Sequence, residues 1–402
     1  MTDPQYPGSA PPPPWYYAAV PPPPPPKKRR KATAWVTLSV TALLVAGGVA
    51  GFVMWQNAPK AQYDAAVADL DEARDNVVAA STAATDVIEY GGEQQLAADT
   101  IQTQSVDGLF DAARYDDFTV SLTTLDTVLA AAPAEILPPS EPADLPAMPW
   151  ERAQTAEQIE ALADETRDDL DDYAQEIETV AEATTAVNTA AADLFGSAAD
   201  TAQALLDENI SAENPTKVAF QRAADAVAQL DELDDSTASV VTAYVDAAAA
   251  LSASQQAELD EKRGPLLADR LEVEQFARDL APGLMLDFDW APIVAGAGDG
   301  LSVGGTTHWW MDPGYATITL SDSVAELWGS RYDDMVRALV AHEIGHALTI
   351  RCGDLYDWST QESIEQWATA WAIVQGYTGE CNGVSVYGEP PQSMIDAARG
   401  CS

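Results

Sequence analysis

The residues of this chain best suited to chemistry are its histidines, of which there are three: His308, His342 and His346. Two of them belong to a His-Glu-Ile-Gly-His segment at 342–346. On an α-helix, residues four apart share one face, so both imidazoles can bind the same zinc ion. Glu343 lies beside this pair, where its carboxylate can accept a proton from water without binding the metal. The spacing therefore predicts a hydrolytic site that holds one Zn²⁺ per chain.

The sequence around this segment predicts that it lies on a helix. Two aspartates at 333–334 suit a first helical turn, because acidic side chains interact favourably with the partial positive charge there. Met335, Leu339 and Val340 recur at helical spacing and would form the buried side. Gly345 lies in the helix interior, where glycine costs about 1 kcal/mol relative to alanine. We therefore expect another backbone or the substrate to approach closely at this position.

The 342–346 segment resembles the active-site helix of zincin metallopeptidases of the gluzincin type. In that branch the third zinc ligand is a glutamate on a following helix. Glu365 lies nineteen residues after His346 and begins a Glu-x-x-Ala sequence. The resemblance thus implies both histidines and Glu365 as ligands, with Glu362 as the alternative third ligand. The metzincin pattern requires a histidine six residues after His346. That position is Cys352, so the metzincin branch is excluded.

At one position the sequence departs from this family. Many gluzincins place an aspartate directly after Glu-x-x-Ala, where it holds the second nitrogen of a ligand histidine. This chain has Thr369 there. We therefore expect the hydrogen bond that orients the ligand histidine to come from elsewhere.

The resemblance also implies how the surroundings of the site are built. It suggests that the YATITLS segment, 315–321, is an edge strand above the cleft, along which an extended peptide can add as a further strand. Tyr387 and His308 are candidates to donate a hydrogen bond to the developing oxyanion. For His308 we favour another role, as a partly buried structural histidine beside Trp309 and Trp310.

The pattern of segment 283–402 predicts an α+β domain, and the resemblance implies that this domain is zincin-like. Short alternating apolar segments with glycine or proline turns predict strands at 284–290, 300–310 and 315–321. Helices are expected at about 332–350, 360–376 and 390–399. The tryptophans at 367 and 371 have helical spacing and are expected in the core.

Residues 60–280 predict an extracellular all-α bundle or stalk of about four helices. From Ile159 to Leu194, core-compatible residues recur mostly in steps of three and four, which is typical of a helix packed on another helix. The proline-rich segment 136–150 and the Asn214-Pro215 pair predict breaks. A helical-bundle protein is a candidate partner for this stalk.

The first 55 residues predict a membrane anchor. Residues 1–31 are proline-rich and end in five consecutive basic residues, which predicts a disordered tail. Residues 32–55 carry no charge and are long enough for one transmembrane helix. Because basic residues stay cytoplasmic, we expect the N-terminus inside the cell and the later domains outside. A cleaved signal peptide is the alternative.

The net charge of the chain argues against one class of partner. The chain has 20 Lys and Arg against 64 Asp and Glu, a net charge of −44, so we expect no nucleic-acid partner.

The cysteines predict a disulfide. All three cysteines lie near the C-terminus, and outside the cell two of them are expected to pair. The preferred pair is Cys381–Cys401, and the alternative is Cys352–Cys381.

Together these patterns predict a membrane-anchored, extracellular zinc metallopeptidase with Glu343 as its general base. Its expected substrate is a polypeptide of the cell surface or envelope. The alternative is a membrane-tethered helical scaffold or receptor whose zinc site is structural or degenerate. An intact Glu343 disfavours that alternative, because a structural site needs no general base.

Overall fold

The computed structural model describes residues 59–104, 106–142, 144–147 and 149–401. This part is mostly helical and contains one small three-stranded sheet. None of the helices in it is long and apolar enough to cross a membrane. The transmembrane helix in the predicted fold class therefore has no support, and the predicted fold class is corrected: the described part of the chain is mostly helical with one small sheet. The predicted tail, 1–31, and the predicted span, 32–55, lie outside the described residues.

Between residue 59 and the sheet the structure has six helices, where about four were predicted: α1 (Pro59–Gln102), α2 (Ala112–Ala130), α3 (Pro149–Glu208), α4 (Asn214–Ala228), α5 (Thr237–Glu261) and α6 (Leu267–Leu280). The described residues between α2 and α3 are not helical, and α3 begins at Pro149, just inside the predicted break at 136–150. Helix α4 begins at the other predicted break, where Pro215 suits the first turn. Along α3 the predicted contact residues are buried, except for the half-buried Leu162 and Leu170.

The described part of the chain divides into two compact units. The first comprises the described residues up to Val87 together with Pro133–Ile177. Its core forms where the first part of α1 packs on the first part of α3, through residues such as Leu70 and Ile159. The second unit comprises Ile88–Ala132 and the residues from Glu178 onward. It therefore contains the sheet and every residue of the predicted metal site.

The sheet consists of β1 (Met285–Ala291), β2 (Gly305–Trp310) and β3 (Tyr315–Ser321), arranged in the order β1-β3-β2. Strand β1 is parallel to β3, and β2 is antiparallel to β3. The prediction that 315–321 is the edge strand is wrong, because β3 is central and β2 lies at the edge. The burial pattern gives the reason: β3 is mostly buried, as a central strand must be, whereas the residues of β2 are half-buried or exposed.

The chain after the sheet is helical: α7 (Asp322–Leu327), α8 (Asp333–Ala347), α9 (Thr349–Cys352), α10 (Gln361–Val374), α11 (Val384–Tyr387) and α12 (Gln392–Ala398). Helix α8 lies between the sheet and α10 in one apolar core. Trp367 and Trp371 are fully buried in that core, which confirms their predicted place. A Cβ atom on Gly345 would lie only 2.6 Å from the Cα of Ala368. Glycine is required in α8 because the backbone of α10 approaches so closely there.

A disulfide joins Cys352 to Cys401, whose Cα atoms are 5.9 Å apart, and Cys381 is a free thiol. Both predicted pairings used Cys381 and are wrong. The reason lies in the packing of the C-terminal helix α12 along α10. There the indole Nε1 of Trp371 donates to the carbonyl of Cys401 and brings the chain end to α9. Burial raises the pKa of the Cys381 thiol.

Buried polar groups anchor α4 on the sheet. The Asn214 amide donates to Asp287 Oδ2 over 2.7 Å, and the Asn214 side chain donates to the carbonyl of Ala316 over 2.7 Å. Lys217 Nζ donates to the carbonyl of Leu286 over 2.9 Å. Burial is the main cause that lowers the pKa of Lys217 to about 7. The sheet is therefore fixed to the helical region through buried polar groups.

Removing the Asp287 carboxylate is expected to lower the free energy of unfolding by about 3 kcal/mol. The variant Asp287→Ala leaves the buried Asn214 amide without its acceptor and removes a negative charge that favours the Lys217 ammonium. Chemical denaturation of the full chain measures the change. Asp289→Ala is the matched control, because Asp289 lies on the same strand but is exposed. We expect the control to change stability by less than about 0.5 kcal/mol, and equal losses in both variants would contradict the anchoring role.

Candidate metal centre

Helix α8 places His342 and His346 on one face, one turn apart. Both side chains are buried, with 4% and 6% of their surface exposed. Their Nε2 atoms lie 3.2 Å apart, and their ring planes are nearly perpendicular. The two imidazoles therefore converge on one point rather than lying parallel.

Helix α10 supplies the third member of the cluster. Glu365 Oε2 lies 3.2 Å from His342 Nε2 and 3.3 Å from His346 Nε2. These three side chains form the group of potential metal ligands found within the described residues. The close contact of α8 and α10 at Gly345 is what lets side chains from two helices meet at these distances. Gln361 donates to the other carboxylate oxygen, Oε1, over 2.6 Å and fixes the Glu365 carboxylate.

The Glu365 carboxylate is held in its ionised form. Burial alone would raise its pKa, but when His342 and His346 are protonated, the hydrogen bonds that they donate and their positive charges outweigh that effect. As a result the pKa of Glu365 lies well below its usual range. An ionised carboxylate is the form that binds a metal.

Thr369 departs from the family pattern, and a backbone group lies where the hydrogen bond to His342 was expected from elsewhere. His342 Nδ1 lies 3.1 Å from the carbonyl oxygen of Asn382, and Thr369 Oγ1 lies 3.4 Å from the same nitrogen. Gly383 follows with a φ of 101°, and a Cβ atom there would lie 2.2 Å from Thr369 Oγ1. Glycine thus lets the loop after α10 reach His342. Sequence reasoning missed Asn382, because any residue type carries a backbone carbonyl.

The carboxylate of Glu343 lies against the edge strand β2. Thr307 Oγ1 lies 2.8 Å from Glu343 Oε2 and 3.0 Å from the Glu343 backbone oxygen. Glu343 is 3% exposed, so its surroundings are protein atoms on most sides. Sequence reasoning also missed Thr307, although strand alternation places it on the same face as Gly305 and Trp309.

The other predicted site residues, Tyr387, His308 and Glu362, are outside the ligand group. The Tyr387 ring lies parallel to that of His342 with centroids 6.0 Å apart, so Tyr387 borders the site. His308 is exposed rather than partly buried. It alternates with Thr307 and Trp309 on β2, so its side chain points to the face of the sheet away from α8. Glu362 is exposed in the first turn of α10 and is not part of the ligand group.

No protein-family model matches the chain, and no curated protein or solved structure is significantly similar to it.

Proposed function

We propose that the chain is a zinc-dependent metallopeptidase, with His342, His346 and Glu365 as zinc ligands and Glu343 as the general base. One observation carries this proposal. The three donor atoms form a triangle with sides of 3.2, 3.2 and 3.3 Å. In a tetrahedral site with zinc–ligand bonds of about 2.0–2.1 Å, neighbouring donor atoms lie about 3.3–3.4 Å apart. The spacing of the donors thus matches that of three corners of a zinc site.

The proton positions also favour a cation at this point. A backbone carbonyl only accepts hydrogen bonds, so the neutral His342 ring carries its proton on Nδ1, facing Asn382. Its Nε2 then presents a lone pair to Glu365 Oε2 at 3.2 Å. Two such groups repel each other unless a positive charge lies between them. A proton can lie between only two of the three ligand atoms, whereas a divalent cation can bind all three at once.

Glu343 has the chemistry of a general base and is the neighbour in the chain of a proposed zinc ligand. When bound, Zn²⁺ acts as a Lewis acid that polarises a carbonyl and makes a nearby water more acidic. Glu343 adjoins His342 in the chain but is outside the ligand group, so its carboxylate is available to exchange protons. It takes the proton of the water that attacks the peptide carbonyl and gives it to the leaving amine.

The proposed substrate is a polypeptide bound in extended form along β2. Within the described residues β2 pairs with β3 on one side only. An extended peptide can pair with the other side through backbone hydrogen bonds. That pairing would align a peptide carbonyl with the cluster, because β2 runs beside the helix that carries both histidines.

Metal analysis and a peptide-library digest of the purified full chain test this function together. We expect about one zinc ion per chain and cleavage that stops when a chelator is added and returns with zinc. A chain that binds no zinc, or that binds zinc and cleaves no peptide, would overturn the proposal. The second result would favour a scaffold whose zinc site is structural.

A further inference from the structure

We infer that Gly305 and Thr307 of the edge strand β2 set the position of the general base Glu343. The strand would then have two roles, holding the Glu343 carboxylate in place and binding the substrate. This inference rests on the proposed function. It starts from the burial of Glu343, which is 3% exposed and whose carboxylate lies against β2 rather than in water. A side chain with free rotation about its bonds needs such contacts to hold one position.

Thr307 provides the hydrogen bond. Its hydroxyl has one hydrogen and lies near two Glu343 acceptors, the carboxylate Oε2 at 2.8 Å and the backbone oxygen at 3.0 Å. The backbone oxygen already accepts within α8, as every interior carbonyl of an α-helix does. The carboxylate is the closer and the charged acceptor, and hydrogen bonds to charged groups are the stronger ones. Thr307 therefore holds Oε2 and leaves Oε1 for the water that Glu343 must deprotonate.

Gly305 provides the space. A Cβ atom at this position would lie 2.6 Å from Glu343 Oε1, 2.7 Å from its Cγ and 2.8 Å from its Cδ. Non-bonded carbon atoms prefer separations of about 3.5–4.0 Å, so even alanine would force the carboxylate to move. Glu343 can therefore occupy its position only because residue 305 has no side chain.

Strand alternation explains why the two residues act together. Gly305 and Thr307 are two apart on β2 and point to the same face, toward α8. The next residue on that face is Trp309, whose ring lies parallel to that of His346 with centroids 6.2 Å apart. Thr319 lies on β3, outside the substrate-binding strand, and it pairs with Thr306, whose side chain points away from α8. Thr319 is a natural control of the same residue type.

The decisive experiment compares Thr307→Val, Thr307→Ser and Thr319→Val in the full chain, using a peptide that the wild type cleaves. Valine keeps the shape of threonine without its hydroxyl. We expect Thr307→Val to lower kcat by about 10- to 100-fold with KM and zinc content close to wild type. We expect Thr307→Ser to recover kcat to within about threefold, since it retains the hydroxyl. Thr319→Val should behave as wild type.

Several outcomes would overturn the positioning role alone. These are an unchanged kcat in Thr307→Val, a failure of serine to restore kcat, and a loss of zinc in parallel with kcat. Should Thr307→Val not fold, Gly305→Ala gives an independent answer: we expect zinc to stay bound and kcat to fall, and a wild-type kcat would contradict the inference. A wild type that cleaves nothing would instead overturn the proposed function, and this inference with it.

Discussion

Replacing Glu343 with glutamine is expected to reduce peptide hydrolysis by about 10²- to 10⁴-fold while zinc content stays near one ion per chain. Glutamine has nearly the same shape as glutamate, and its amide oxygen can still accept the hydrogen bond from Thr307. It cannot accept the proton of an attacking water. Steady-state kinetics and metal analysis on the same preparation measure the two quantities.

The control for this variant is Glu362→Gln. Glu362 is an exposed glutamate on α10 that is outside the ligand group, so the same chemical change should have little effect there. Unchanged cleavage in Glu343→Gln would show that another group removes the proton. Loss of zinc in Glu343→Gln would show that Glu343 supports the metal site rather than the proton transfer.

The helical part of the site was predictable from the sequence, because its signals are local. The His-Glu-Ile-Gly-His spacing and the aspartates before it predict α8, and the structure has that helix at Asp333–Ala347. Gly345 indicated a close approach, and the backbone of α10 lies there. Each of these inferences needs only the period of an α-helix and the size of a side chain.

Pairing between distant segments could not be read in the same way. Strands β2 and β3 are neighbours in the chain, so either could have been the edge, and the outcome depends on β1 pairing parallel to β3 from the far side. The disulfide depends on how α12 packs on α10, which no spacing of cysteines encodes. Asn382 supports His342 through its backbone, where residue type carries no information.

Strand alternation was a signal that could have been used. Once β2 is recognised as a strand beside α8, residues 305, 307 and 309 must share a face, and His308 must point away. The candidate role of His308 in stabilising an oxyanion would then have been set aside, and Thr307 would have been considered. The side of a strand that faces a site is therefore as informative as the residue types on it.

Loss of a ligand is expected to remove zinc and activity together, in contrast to loss of the base. His346→Ala removes one of the three donors, and Glu365→Gln removes the negative charge that two imidazoles surround. We expect zinc affinity to fall by more than the roughly 10- to 100-fold typical of residues that only support a ligand. Zinc content after dialysis and hydrolysis of the same peptide measure both effects.

Thermal unfolding gives a readout of the same site that does not depend on catalysis. The three donors lie on α8 and α10, so a zinc ion would link the two helices and stabilise only the folded chain. A ligand present at 100 times its Kd adds about 2.7 kcal/mol to the free energy of unfolding. We therefore expect a chelator to lower the Tm of the wild type and of Glu362→Gln, and to leave the Tm of His346→Ala and Glu365→Gln unchanged. If Glu362→Gln loses zinc and the chelator effect while Glu365→Gln keeps both, Glu362 is the third ligand. A wild type whose Tm does not respond to the chelator would contradict zinc binding at this cluster.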